Sequence, residues 1–559
     1  MKTRSKTHIL LAISGLALAT APGYAQTNGP LPIIWQAAYG PGMSGGVGYA
    51  LPYDFIQTSD GSFLIAGTCE GPANGIRTEP FCLSADAWVI KIDAQGQRQW
   101  DKSCGGGTTW APGDYAHRVF LTPDGGFLLA GFTTSAPACC KTAPLRGPSG
   151  YAYPNNLWVV RYDANDDKLW DQSYLPEGLS GCYGFDFTPT EDGGYLGCGP
   201  GTSGQITATA VYGGMAKFDA QGQQLWTKTV GCARTSDITY LLVIRNTSDG
   251  GFIVAGCSNA QPCADKTSPY FGGHDSNIPH LGSDFWVVRF DAQQNKLWDK
   301  SYGGAASECA RDIHPLADGG FMVFGNSQSL PVTDPSKGTK TSRRYGNQDF
   351  WVVRIDAEGN QLWDKSYGGV SDDICTCAEP MPDGGWLLSG TSCSRPSGNK
   401  TAPHFGGWDF WIVRIDDQGN KLWDQSFGGR GDEGKIWRTF QPPVFMRERI
   451  RRTTDGGFLL TGFSQSPPGG LKTAPLISQG DFWVLKLGPE PPSLRGEFTA
   501  EGQFQLCLIA PPELEHTIQG SADLVTWTDL ATLGPNPDGK EYWNDPEKLA
   551  HRFYRAARK

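Results

Sequence analysis

The chain has 559 residues, 19% of them charged and 12% aromatic, with 74 Gly, 39 Pro and a formal net charge of −10. That length is too great for one undivided core, so the core must come from repeated or separate units. An acidic balance without basic clusters argues against nucleic acid or anionic lipid as partner, and no sustained apolar spacing of helical period exists, which leaves strands and turns.

Lys2, Arg4 and Lys6 precede an apolar run from Ile9 to Ala21, and Gly23-Tyr24-Ala25 follows. This reads as a secretory signal peptide over 1–25, so the mature chain is expected to be secreted, periplasmic or at the cell surface. The run is too short to span a bilayer, and no later segment is long enough. Losing three cations would take the charge from −10 to −13. Fifteen cysteines in an exported chain suggest disulfides, and the odd count leaves at least one thiol outside any internal pairing.

Three signatures then recur in fixed order. Asp-Gly-Gly with an aromatic and an apolar run starts at Asp60 (Ser62 replacing the second Gly), Asp124, Asp192, Asp249, Asp318, Asp383 and Asp455. A segment like Asp349-Phe-Trp-Val-Val-Arg-Ile-Asp356 carries Trp88, Trp158, Trp286, Trp351, Trp411 and Trp483, with a degenerate copy from Tyr212 to Asp219. The third, Leu-Trp-Asp-Lys-Ser-Tyr-Gly-Gly in type, places tryptophans at 35, 100, 170, 226, 298, 363 and 423. Seven copies at roughly 65-residue spacing are a strong repeat signal.

Each unit reads as four strands, and the two apolar middle ones require cover on both faces. The expected fold is all-β, a seven-bladed β-propeller over 26–487. The first copy opens at Ile33-Ile34-Trp35, a fourth strand lacking its third, and the last copy ends at 482–487, a third strand lacking its fourth. Residues 33–39 should therefore complete the last blade and close the ring. A Pro-rich linker over 488–495 and a small β-sandwich-like module over 496–559 follow.

The repeat resembles those of secreted bacterial β-propeller proteins, a likeness that covers 33–487 and implies fold but no activity. The tail, through Gln519-Gly-Ser-Ala-Asp-Leu-Val-Thr-Trp527 and Arg552-Phe-Tyr-Arg555, resembles a C-terminal module of exported proteins from environmental bacteria. Asp219-Ala-Gln-Gly-Gln-Gln-Leu-Trp226 is similar to the tryptophan-docking repeat of quinoprotein propellers.

In such a blade the short first-to-second and third-to-fourth turns share one face, while the long variable loops share the other, which becomes the candidate working surface. Lys141, Lys266, Lys400 and Lys472 begin Lys-Thr-(Ala/Ser)-Pro stretches there, with Arg77-Thr-Glu-Pro80 as a variant. A ring of cations could meet an acidic glycan; the plainer alternative is a turn in which Lys bonds local carbonyls. Trp110, Trp408 and Trp437 could stack on sugars, or pack within loops. Asp114, Asp373 and Asp432 stand near blade starts, where carboxylates could line a pocket or cap strands. Loop-closing disulfides are expected among Cys69 with Cys82, Cys182 with Cys198, Cys257 with Cys263, and Cys375 or Cys377 with Cys393. Vicinal Cys139-Cys140 resembles the adjacent-cysteine disulfide of some quinoproteins, but separate pairing with other cysteines is the preferred reading. His274-Asp275 and His280 have no specific ligand spacing, so no metal site is expected, and no cofactor is required. The resulting expectation is a non-catalytic extracellular binder of a glycan or protein through the long-loop face. The rival is an exported carbohydrate-active or quinone-dependent enzyme.

Overall fold

The repeat signatures fall on strands, and the strands assemble into sheets in chain order. The computed structural model describes residues 31–42, 48–71, 73, 76–79, 82, 85–107, 113–147, 155–203, 210–232, 234, 237–272, 282–434, 448–498, 504–510, 514–522, 524–534, 539–545 and 553–558. The signal-peptide segment lies outside them. Sheet 1 runs Tyr49–Gln57, Phe63–Glu70, Asp86–Ile92 and Arg98–Cys104, each strand antiparallel to the next. Sheet 2 repeats this with Asp114–Leu121, Phe127–Thr133, Asn156–Tyr162 and Lys168–Tyr174. In sheet 3 the first strand is split into Gly181–Cys182 and Asp186–Pro189, before Tyr195–Thr202, Val211–Phe218 and Gln224–Val230. Sheet 4 comprises Thr239–Asn246, Phe252–Ser258, Asp284–Phe290 and Lys296–Tyr302. Sheet 5 comprises Glu308–Pro315, Phe321–Ser327, Asp349–Ile355 and Gln361–Tyr367, and sheet 6 Asp373–Pro380, Trp386–Ser392, Asp409–Ile415 and Lys421–Phe427. Sheet 7 joins Arg449–Arg452, Phe458–Ser464 and Asp481–Leu487 to Ile33–Tyr39, whose Ala37 lies opposite Val484. The complementary truncations of the repeat thus meet in one sheet.

Two turns per sheet are tight for a stated reason. The Asp-Gly-Gly turn holds its first Gly at positive φ, for example 83° at Gly319, where a Cβ would be strained. The Asp carboxylate folds back on the turn's own amide and reaches a cation on the third strand, as Asp455 does with Lys486 at 2.9 Å.

Aromatic residues of the fourth strand join one sheet to the next. Trp35 donates its indole N–H to Ala94 O at 2.9 Å, and Trp298 donates to Ala357 O at 3.0 Å. The tyrosine four residues on reaches the same turn: Tyr39, Tyr174, Tyr302 and Tyr367 donate to Gly96, Gly222, Gly359 and Gly419. Sheet 7 thereby clasps sheet 1 with the same two groups that clasp sheet 5 to sheet 4. Trp88 of sheet 1 also packs on Phe482 of sheet 7, with ring centroids 4.9 Å apart.

The Gly-Gly that follows the fourth strand makes room for buried acid. A Cβ at Gly105 would stand 2.2 Å from Asp86 and 3.0 Å from Asp114; at Gly368 it would meet Asp349 and Asp373. Asp284 with Glu308, and Asp409 with Glu433, repeat the pairing between later sheets. All eight carboxyls are essentially buried. The second member of each pair (Asp114, Glu308, Asp373 and Glu433) accepts a glycine N–H (Gly106, Gly304, Gly369, Gly429) and serine groups.

Beyond sheet 7, Ser493–Phe498 pairs with Phe504–Ile509, which pairs with Lys540–Trp543; His516–Ser521 lies between Thr528–Leu533 and Phe553–Arg558. The Pro-rich stretch is therefore shorter than its composition suggests, because Ser493 already belongs to a strand. No helix among the described residues is long and apolar enough to cross a membrane.

Candidate functional site

The lysines expected to form a cationic rim are interior groups. Lys141, Lys266, Lys400 and Lys472 are at most 2% exposed. Lys266 Nζ donates to Ser268 O (2.8 Å), Pro269 O (3.0 Å) and Ser301 Oγ (3.0 Å). Lys400 does the same with Ala402, Pro403 and Ser426, and Lys472 with Ala474 and Pro475. After Lys141, Lys266 and Lys400 the following Thr donates its N–H or hydroxyl to the Asp of the Leu-Trp-Asp strand, whose carboxylate also takes the Trp indole N–H, as in Thr267, Asp299 and Trp286. After Lys472 the acceptor is Gln36 Oε1, which takes Thr473 N–H and the Trp483 indole N–H. The stretch is thus a latch that ties each long loop to its own sheet. Lys340-Thr341-Ser342 forms the same latch without the proline, which hid it from the sequence reading. Burial draws Lys266 and Lys340 down to about 8. Replacing Lys266 by Met should orphan three buried acceptors and lower stability by about 1–3 kcal/mol in urea unfolding; an unchanged midpoint would contradict the latch.

The other long-loop candidates follow the same pattern. Asp114 and Asp373 are buried in the carboxyl pairs, and burial raises both above the ordinary carboxylate range. Asp432 accepts Trp408 N–H at 3.0 Å, and Trp408 is itself buried. Trp110 and Trp437, and the His274–His280 loop, lie outside the described residues.

The disulfides correct the expected pairing. Cys82 bonds Cys139, Cys104 bonds Cys140 and Cys232 bonds Cys263, so Cys69 and Cys257 are not the partners of Cys82 and Cys263. Cys182, Cys198, Cys375 and Cys393 form no disulfide. The sequence pairing assumed that each bridge closes a loop within one unit. The bridges instead span neighbouring sheets, with bonded Cα atoms 5.3–6.6 Å apart across the boundary. Cys139 and Cys140 hold different partners, so the adjacent-cysteine bond that suggested a quinoprotein is not formed.

A different site emerges where the first strands of the seven sheets converge. Five of these strands carry a bulge, at Pro52/Asp54, Ala116/Arg118, Leu241/Val243, Ala310/Asp312 and Cys375/Cys377. A bulge inserts one residue and re-aims the side chains beyond it. Asp54, Arg118 and Asp312 follow such steps and join Asp186, Arg245, Arg449 and Arg451 in one network.

Around this network, acid and base alternate. Arg118 lies 3.6 Å from Asp54 and hydrogen-bonds Asp186. Arg245 bridges Asp186 and Asp312 at 2.6 Å each. Arg449 is 3.8 Å from Asp312 at one end of this chain of pairs, and Arg451 is 2.7 Å from Asp54 at the other. Burial, then the neighbouring Arg449, lowers the pKa of Arg118. Burial would raise Asp312, but Arg245, His314 and Arg449 hold it well below the usual range. Four guanidiniums thus face three carboxylates, and the fourth carboxyl nearby, Glu379, is pushed toward its neutral form by burial.

The four arginines, Asp312 and Glu379 line a cavity of about 230 Å³ together with Phe120, Phe187, Pro189 and His314. Its residues sit in the C-terminal halves of the first strands, which run into the Asp-Gly-Gly turns. The other end of the convergence is filled by Tyr53, His117, Phe132 and Phe185, with Tyr53 and His117 4.4 Å apart. The guanidinium Nε of Arg449, a residue only 4% exposed, has no hydrogen-bond partner. A second cavity, about 290 Å³, lies against the tail, but its Arg414 is already matched by Asp383 (2.7 Å) and Glu490 (3.4 Å).

No family model matches the chain. The regulatory protein FlaEY of Caulobacter vibrioides is 26% identical over 171 residues, which are 30% of this chain. The match spans 18% of FlaEY. Among solved structures, cobalt-substituted Synechocystis ACO aligns over 92% of this chain and 98% of its own, with a TM-score of 0.35 and 11% identity. A sialidase aligns over 66% and 42%, at 0.21 and 10%. Scores this low carry no argument, so the chain is similar to these proteins in part and is assigned to no family.

Proposed function

We propose that the seven sheets are the blades of a β-propeller over 26–487, that the module from Ser493 onward is a separate unit, and that the exported protein is a non-catalytic binder of an acidic glycan. The ligand's carboxylate enters the arginine-lined cavity at the short-turn end of the first strands, not the long-loop face. One observation carries this reading: a buried cluster with one guanidinium more than its carboxylates, in which Arg449 Nε is unsatisfied. A buried donor without a partner is costly, and a carboxylate supplies a charge-assisted one. A cavity of about 230 Å³ suits a single sugar ring, and Phe120 and Phe187 offer it apolar walls.

The test is calorimetric titration of the mature protein with a uronate-bearing oligosaccharide and with its carboxyl-reduced, neutral counterpart. The acidic ligand should bind, more weakly in higher salt, and Arg449→Met should weaken it at least tenfold while the circular dichroism spectrum stays the same. Equal binding of the neutral sugar, or undiminished binding by the variant, would overturn the proposal.

A further inference from the structure

Cys257 lies near the end of the second strand of sheet 4, and Cys309 near the start of the first strand of sheet 5. Both are buried in a small cluster with Phe185 and Leu242, and their sulfurs are 2.6 Å apart. Non-bonded heavy atoms rest at about 3.5–4.0 Å. Two separate thiols are therefore not the natural occupants of this space.

We propose that Cys257 and Cys309 are joined by a disulfide in the mature protein, a covalent tie between sheets 4 and 5. The three recorded bridges set the pattern. Cys82–Cys139 and Cys104–Cys140 tie sheet 1 to the loop between the second and third strands of sheet 2. Cys232–Cys263 ties the chain leaving sheet 3 to the corresponding loop of sheet 4. Each joins neighbours in the sheet order, as Cys257 with Cys309 would.

The chemistry balances as an ordinary thiol–disulfide exchange. Both S–H bonds break, one S–S bond forms and two protons leave. The two electrons reduce the disulfide of an exported dithiol oxidoreductase, or of an oxidised low-molecular-weight thiol, to two thiols. The hydrogen bond from Cys309, and then burial, raise the Cys257 thiol well above its ordinary range, so the attacking thiolate is scarce once the sheets have packed. Oxidation then belongs to the stage before sheets 4 and 5 close on each other. The product anchors the start of the strand that carries Asp312, three residues on, and so holds one member of the charged network in place.

Protein made in a disulfide-forming export compartment and treated with oxidised glutathione should be denatured in N-ethylmaleimide without reductant, digested and mapped by mass spectrometry. The expected result is a peptide pair containing Cys257 and Cys309, lighter than the sum by two hydrogens and lost on reduction. The thiols alkylated before reduction should number seven instead of the nine that three bridges leave. Recovery of both cysteines alkylated while Cys232–Cys263 is recovered bonded would overturn the proposal, as would either cysteine crosslinked elsewhere. Cys309→Ser should restore an alkylatable Cys257 without disturbing the other three bridges.

Discussion

Asp186→Ala should lower the unfolding free energy by about 3–5 kcal/mol, the cost typical of removing one partner from a buried ion pair. Asp186 is fully buried between Arg118 and Arg245, and it also accepts the backbone N–H of Ile244 at 3.0 Å. Its loss strands two guanidiniums whose remaining carboxylates, Asp54 and Asp312, are already shared with Arg451 and Arg449. Guanidinium-chloride unfolding would suit poorly, because the denaturant is itself a salt; urea at low ionic strength reads the effect directly. A loss under about 0.5 kcal/mol, the range of ordinary surface changes, would mean the network is solvated and exposed. Replacing Arg118, Asp186 and Arg245 together by apolar residues should recover much of the loss, since the penalty lies in unpaired charge and not in missing attraction.

Stability should fall between pH 5 and pH 8. Burial, reinforced in each case by the neighbouring carboxylate, raises Asp86 and Asp349 to about 6 and Glu433 to about 8. A carboxyl whose folded pKa is raised favours the folded state while it is protonated in both states, and that contribution disappears as pH rises through the folded value. A tenfold change in acidity corresponds to about 1.4 kcal/mol, and only about one such step of the Asp86 and Asp349 shifts lies above pH 5, so each accounts for about 1.4 kcal/mol of this fall. Lys266 and Lys340, drawn to about 8, stay charged across most of this window and leave the slope to the carboxyls. At the acid end Asp171 acts oppositely: burial opposes ionisation, but Lys168, Thr142 and backbone N–H groups hold it at about 2, so its contribution is lost as pH drops toward that value. Urea unfolding at pH 5 and pH 8 measures the slope, and Asp349→Asn with Glu433→Gln should flatten it. Stability that is level or rising toward pH 8 would refute the protonated pairs.

The sheets were legible because their signals are local. Alternating turns, an apolar run and a Leu-Trp-Asp segment specify one unit, and seven repetitions average out any single misreading. The seam was legible for a simpler reason: a fourth strand without a third at one end needs its complement at the other. The site was not legible. Asp54, Arg118, Asp186, Arg245, Asp312, Arg449 and Arg451 come from six first strands, and no repeat signature includes them. Each looks like an isolated charge on a strand until the bulges turn them to a common point. A charged residue four to six positions before the turn Asp, alternating in sign over the first five units, is the pattern that would have found most of them. The lysines misled in the opposite sense, since recurrence on loops suggested display, whereas the recurrence reflects an identical internal task in each unit. Cysteine partners were hidden because spacing along the chain says nothing about which loops of adjacent units touch.

The strand Ile33–Tyr39 has one further implication, for the order in which the molecule is made. Gln36, which accepts the indole N–H of Trp483 at 3.1 Å, stands 447 positions before it. Six sheets can pair with strands synthesised within moments of one another, but the seventh must wait for nearly the whole polypeptide. Throughout that interval an early segment carrying Ile33, Trp35 and Tyr39 has no lateral neighbour, and pairing over so long a separation is slow. Assembly therefore closes on a strand made long before its partner.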